Sequence, residues 1–280
     1  MNILKCFAVV SAITIMCCMC SCGSEKNNSS SAVEQTAESE IEYDMSEGFF
    51  KTSDENFICR GKPIENSENI NIELYVPVKD GVNSNNEQLY KYDKKIYSCD
   101  EVTRLSPDEA RDIVCSYAQQ MCDKSYQRYE LCGEYVGENE TVSDCSGLTK
   151  LSYLQIGFYT EHYADAQAND YGRAIFDNLE YGSTVDGVKT YSVKDANASV
   201  NYNDLEKGDL LFFLCSTNNN ENTQVFSANG IGHVGMYMGS SKMAHFTSDY
   251  GIENNPCRVV DLSDYEQTLK VVKAVRYIES

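Results

Sequence analysis

Three apolar runs between residues 209 and 248 constrain this chain more than any other feature. "DLLFFLC" (209–215), "HVGMYMG" (233–239) and "KMAHFTS" (242–248) are strand-length and rich in aromatic and branched residues. Turn residues bound them, Lys207-Gly208 before the first and a Ser-Ser-Lys turn before the last. A continuous apolar run of this length reads as a buried strand, so the sequence predicts three adjacent antiparallel strands. His233 begins the middle strand and His245 falls in the strand after the turn. A hairpin sets the two rings side by side.

A second stretch, "SDCSGLTKLSYLQIGF" (143–158), places Cys145 just ahead of an apolar stripe at helical spacing: Leu148, Leu151, Leu154 or Tyr153, and Phe158. Cys145 therefore falls at a helix N-terminus. Unpaired N–H groups and the positive end of the helix dipole stabilise a thiolate there, which makes a nucleophile. Gly147 leaves room for a close backbone approach, as by a substrate. The competing reading is a small buried packing cysteine. Upstream, Ser106, Pro107 and Glu109 compose a capping box with proline at the first helical position. Ala110, Ile113, Val114, Tyr117, Ala118 and Met121 mark the buried face of that helix, which is expected to run to about residue 125.

The chain has 280 residues with 42% apolar composition, enough for one sizeable core and a small accessory lobe. Its formal charge of −20 argues against nucleic acid or any other polyanion as a partner, because both would be repelled. Neutral or amine-bearing substrates fit better.

The N-terminus reads as an export signal. Lys5 precedes an apolar stretch from Cys6 to Cys20, too short for a typical membrane span and right for a signal peptide. Met19-Cys20-Ser21-Cys22 then resembles a bacterial lipoprotein processing site, which implies a signal over residues 1–21 and lipidation of Cys22. The alternative is plain cleavage and release. Acyl chains on Cys22 would hold the protein on the membrane, and losing Lys5 takes the charge from −20 to −21. Residues 22–47 are rich in Ser, Asn and Glu and read as a disordered acidic tether, spanning about 25 to 30 Å as a flexible chain. Residues 48–105 hold short β-favouring runs, "FFKTS", "INIELYVPVK" and "QLYKYDKKIYSC", read as a small β-rich extension rather than a wall-binding module.

"DCSGL", "LEKGDLLFF", "HVGMYMG" and "KMAHFTS", in this order, resemble the NlpC/P60 cysteine peptidases, papain-like enzymes that cleave bacterial cell-wall peptides. The resemblance runs from about Tyr129 to the C-terminus and includes "DLSDYEQTLKVVKAVRYI", similar to the closing helical segment and last strand of the family. It implies an α+β papain-like fold over residues 106–280, with the nucleophile helix packed on an antiparallel sheet. Cys145 is then the nucleophile, His233 the general base and His245 the residue that orients the base. Backbone N–H groups at the start of the Cys145 helix are the expected oxyanion donors. Asp144, Ser146 and Tyr129 are the implied substrate contacts. For Asp144 a helix N-cap or a solvated charge is the alternative, and Tyr135 is the alternative to Tyr129. The implied reaction is hydrolysis of a peptidoglycan stem peptide at the bond between the γ-carboxyl of D-glutamate and a diamino acid. An amidase or acyl transferase with the same Cys-His site, or an idle wall-binding lipoprotein, are the rivals.

Two segments are longer than the family's usual loops. One covers about 160–203, where "DYGRAIFDNLEYG" suggests an extra short helix, and the other is the polar stretch over 216–230. Long loops near a site are often functional. His162, outside every motif, is expected at the surface. No cofactor is expected, and no metal: there is no C-x-x-C pair after the signal and no H-E-x-x-H. Nine cysteines follow the signal, at 22, 59, 99, 115, 122, 132, 145, 215 and 257. With Cys22 lipidated and Cys145 reduced, an odd number remains, so not all can pair.

Overall fold

The computed structural model describes residues 48–53, 57–65, 70–82, 88–169, 171–185, 188–214, 230–248, 255–266 and 269–279. The signal, Cys22, the tether, Cys215 and nearly all of the 216–230 segment lie outside the described residues. Among the described residues no helix is long and apolar enough to cross a membrane.

The first strands are β1 (Gly48–Thr52), β2 (Ile58–Glu65), β3 (Ile70–Val82), β4 (Gln88–Ser98) and β5 (Val102–Leu105). They pair antiparallel in the order β4-β3-β2-β1-β5 around Phe50, Cys59, Ile72 and Leu74. The β2 sequence, "ICRGKPIE", carries no strand signal because Gly and Pro both disfavour strand interiors. Partners on both sides override that preference. A Cβ at Gly61 would stand 2.7 Å from the Glu73 carbonyl, so only glycine fits this approach of two strands.

Helix α1 (Pro107–Cys122) begins as expected: Glu109 N–H donates to Ser106 Oγ, and Ser106 N–H donates to Glu109 Oε2 at 2.7 Å. It buries Ala110, Val114, Ala118 and Met121 and stops about three residues before the expected end. Strands β6 (Tyr126–Tyr129), β7 (Glu134–Val136) and β8 (Glu140–Ser143) then make a small sheet in which β6 runs parallel to β8. The chain passes directly from β8 through Asp144 into α2 (Cys145–Leu154), followed by α3 (Ala164–Asn169).

The "DYGRAIFDNLEYG" segment is not helical. It supplies β9 (Arg173–Asp177) and the start of β10 (Leu179–Val185), and β10 forms a two-stranded ribbon with β11 (Val188–Val193). Gly172, at φ +70°, and Gly182 interrupt any helix there, while Ile175 and Phe176 suit a strand that pairs with the last strand of the chain.

The main sheet has the remaining strands: β12 (Leu210–Leu214), β13 (Ile231–Gly239), β14 (Lys242–Phe246) and β15 (Cys257–Asp261), then, after the one-turn α4 (Leu262–Tyr265), β16 (Val271–Arg276). All pairs are antiparallel, in the order β15-β14-β13-β12-β16-β9. Alternate residues enter two different cores. Leu210, Phe212, Val234, Met236, Ala244 and Phe246 pack with α1, α2 and α3, whereas Leu211, Phe213, Tyr237, Met243 and Ala274 pack with Leu205, Leu262 and Val200. Coverage of both faces explains why these strands read as unbroken apolar runs. Burying side chains of this size contributes roughly 1.5–3 kcal/mol each. The β13–β14 turn places Ser240 and Ser241 at φ 52° and 57°, the backbone of a tight two-residue hairpin that fixes the histidine register.

Candidate active site

Cys145 is the first residue of α2 and is buried. Asp144 is the N-cap: its Oδ1 accepts from Gly147 N–H at 2.8 Å and from Ser146 Oγ at 2.9 Å, and its Oδ2 accepts from Cys132 N–H at 2.7 Å. A short acidic side chain in extended backbone is the residue type that satisfies the orphan donors of a helix start. The helix lies on β13 and β14, the two strands that carry the histidines.

His233 and His245 meet as the hairpin requires. His245 pairs with Gly235, which puts it diagonally across from His233 on the same side of the pleat. Their rings approach with His233 Nε2 at 3.1 Å from His245 Nδ1. Tyr265 of α4 packs edge-on to the His245 ring at a centroid distance of 4.8 Å, and Phe213 packs beside His233 at 5.7 Å. His245 is 0% exposed, and among the described residues its Nε2 has no hydrogen-bond partner. Burial, and after it the electrostatic influence of the neighbouring His233 and Arg258 side chains, lowers the His245 pKa to about 2. The inner ring stays neutral through the physiological range.

His162 is not a surface residue. It is 3% exposed and lies between two carboxylates, with Nδ1 at 2.8 Å from Glu134 Oε1 and Nε2 at 2.9 Å from Asp144 Oδ1. Burial opposes a charge here, but the hydrogen bonds and charges of Asp144 and Glu134 outweigh it and raise the His162 pKa to about 9. Lys150, 1% exposed on α2, pairs with the same Glu134 oxygen. Two cations thus balance two carboxylates beneath the helix start. Gly147 serves this cluster rather than a substrate, since a Cβ there would stand 2.7 Å from His162 Nε2 and 2.9 Å from the Gly133 carbonyl. The sequence carries no local sign of the cluster, because Glu134, Asp144 and His162 come from a strand, a cap and a loop with no shared period.

The remaining expected contacts are distributed unevenly. Ser146 is buried, and its carbonyl accepts from Thr149 Oγ1 and Gln167 Nε2. Tyr129 ends β6 opposite Ser143, two residues before Cys145, and is half-buried with its ring 6.1 Å from Phe246. Tyr135, on β7 at the other side of β8 and opposite Val142, is 56% exposed. Among the described residues no three His, Cys, Asp or Glu side chains are grouped to hold a metal ion.

The NlpC/P60 family model matches residues 128–272, just over half of the chain. The chain belongs to the NlpC/P60 family. That stretch includes Tyr129, the whole of α2, both histidine strands and α4, and the α+β architecture is the papain-like fold. Members of the NlpC/P60 family are cysteine peptidases or hydrolases. No curated protein matches the chain. Similar solved structures include the P60 domain of an antigen from Mycobacterium avium subspecies paratuberculosis, 19% identical, covering 63% of this chain and 100% of that one with a TM-score of 0.38. NlpC2 from Trichomonas vaginalis is 17% identical over 84% of this chain and 71% of its own, with a TM-score of 0.40. The peptidoglycan hydrolase RipB from Mycobacterium tuberculosis is 18% identical over 62% and 67%, with a TM-score of 0.37.

Proposed function

We propose that this protein is a cysteine endopeptidase, held on the membrane through lipid on Cys22, that hydrolyses peptidoglycan stem peptides between the γ-carboxyl of D-glutamate and the diamino acid. The observation that carries the reading is the pairing of His233 with His245 at 3.1 Å on the two strands against which the Cys145 helix packs. Family membership and the four ordered motifs support the same chemistry.

In this mechanism the Cys145 thiolate attacks the scissile carbonyl, and His233, protonated, donates to the leaving amine. His233 then takes a proton from the water that hydrolyses the acyl-enzyme. His245 remains neutral and holds the His233 ring through a contact between its own Nδ1 and His233 Nε2. The oxyanion is assigned to the backbone N–H of Cys145, because Gly147 N–H is committed to Asp144. Asp144 and Ser146 act by fixing the head of α2, since their polar atoms are engaged within the protein. Tyr129 is the contact assigned to substrate.

Mass spectrometry of purified muropeptides, incubated with the reduced protein beside Cys145→Ala, tests the proposal. A new amino terminus on the diamino acid, absent with the variant, is the expected product. Release of intact stem peptides would replace the endopeptidase by an amidase, and transfer products by an acyl transferase. Unchanged but bound muropeptides would support the idle wall-binding lipoprotein.

A further inference from the structure

Cys122, the last residue of α1, and Cys257, the first residue of β15, hold their sulfur atoms 3.2 Å apart although 135 positions separate them in the chain. The approach is built by main chain as well as side chain. Gln127 is buried and bridges the two residues, with Nε2 donating to the Cys122 carbonyl at 2.5 Å and Oε1 accepting from Cys257 N–H at 2.8 Å. One amide thus fixes both backbones while the sulfurs touch. Neither cysteine has any part in the mechanism above.

The surroundings give the contact its meaning. β15 is the edge strand of the main sheet. Cys257 pairs with Phe246 and the next residue, Arg258, pairs with His245, so whatever holds β15 in place also holds the strand of the inner histidine. Edge strands have a neighbour on one side only, and fraying is easiest there.

We propose that Cys122 and Cys257 are a disulfide-forming pair whose oxidation ties the end of α1 to the edge strand beside His245. The oxidant is a small-molecule or protein disulfide. Cys122 is partly exposed and Cys257 is 0% exposed, so Cys122 takes the first exchange: its thiolate attacks the oxidant, releases one reduced thiol and becomes a mixed disulfide. Cys257, after losing its proton, then attacks the Cys122 sulfur and expels the second reduced thiol. Two cysteine thiols and one oxidant disulfide give one internal disulfide and two reduced thiols. Cys115, on the same helix, is engaged elsewhere: its Sγ donates to the Tyr237 carbonyl on the central strand β13. Closing a loop of this length restricts the unfolded chain strongly. The cross-link does not depend on the peptidase reading.

The test is peptide mapping of the full chain, reduced and then oxidised with glutathione disulfide in native buffer, with remaining thiols alkylated before digestion. Trypsin with chymotrypsin cuts after Tyr117 and so separates Cys115 from Cys122. The expected product is the Cys122 peptide joined to the Cys257 peptide, lighter than their sum by two hydrogens, with Cys145 absent from the cross-link. The same oxidation in urea should lose that preference, and the native cross-link should raise the Tm. Recovery of Cys122 and Cys257 alkylated or glutathionylated from natively folded protein, or joined to other cysteines, would overturn the proposal.

Discussion

His233 Nε2 lies 3.1 Å from His245 Nδ1, and the second ring is fully buried with a pKa lowered to about 2. A neutral inner imidazole can receive the His233 proton in a hydrogen bond but cannot compete to carry the charge. His233→Ala should therefore lower kcat/KM by roughly 10²- to 10⁴-fold, the usual contribution of a general acid–base. His245→Gln should cost less, since an amide can still orient the ring. Steady-state rates on a stem peptide check the order, and a larger loss at His245 would reverse the two assignments.

The buried histidines oppose each other in pH. His245 is neutral when folded, so stability falls as pH drops below about 6.5, where the unfolded ring takes a proton and the folded one does not. His162 is the opposite case. Its pKa rises from 6.5 to about 9 on folding, so its stabilisation is complete below the unfolded value and disappears as pH climbs through about 9, a loss on the order of 3 kcal/mol. The Tm should peak near neutrality, and His162→Gln should flatten the alkaline limb. An unchanged limb in that variant would remove His162 as its source.

Asp144 joins the His162 cluster to the head of α2. Asp144→Asn keeps an N-cap oxygen while removing one of the two charges that hold His162 protonated. NMR titration of the His162 ring should show its pKa falling towards the ordinary histidine value, with α2 preserved. Asp144→Ala should instead destabilise the fold, because cap and charge partner are lost together.

The lipid assignment has its own test. Metabolic labelling with an alkyne-tagged fatty acid should mark the wild-type protein in the membrane fraction, and Cys22→Ala should lose both label and fractionation. Label retained in that variant would move the acceptor to Cys20.

The parts of this fold that were readable are the parts governed by local pattern. The capping box of α1, the head of α2 and the three apolar runs of the main sheet each rest on short-range spacing, and the motif order around Cys145, His233 and His245 lies inside the matched family region. What escaped reading depends on partners distant in sequence. β2 contains Gly61 and Pro63 yet pairs on both sides, and β9 is a strand because β16 offers it an edge. His162 reads as a surface residue until Asp144 and Glu134, from two other elements, close on its two nitrogens. Gly147 illustrates the same limit: the need for glycine is legible, whereas the ring that occupies the space is not.

The most direct test of the Cys145–His233–His245 site is the rate at which Cys145 reacts with iodoacetamide across pH 5 to 8, read by mass spectrometry in the wild type and in His233→Ala. The account predicts rapid, selective labelling of Cys145 at mildly acidic pH in the wild type, and loss of that advantage in the variant. Cys145 labelling no faster than the other thiols, or equally fast without His233, would contradict an activated nucleophile at the head of α2.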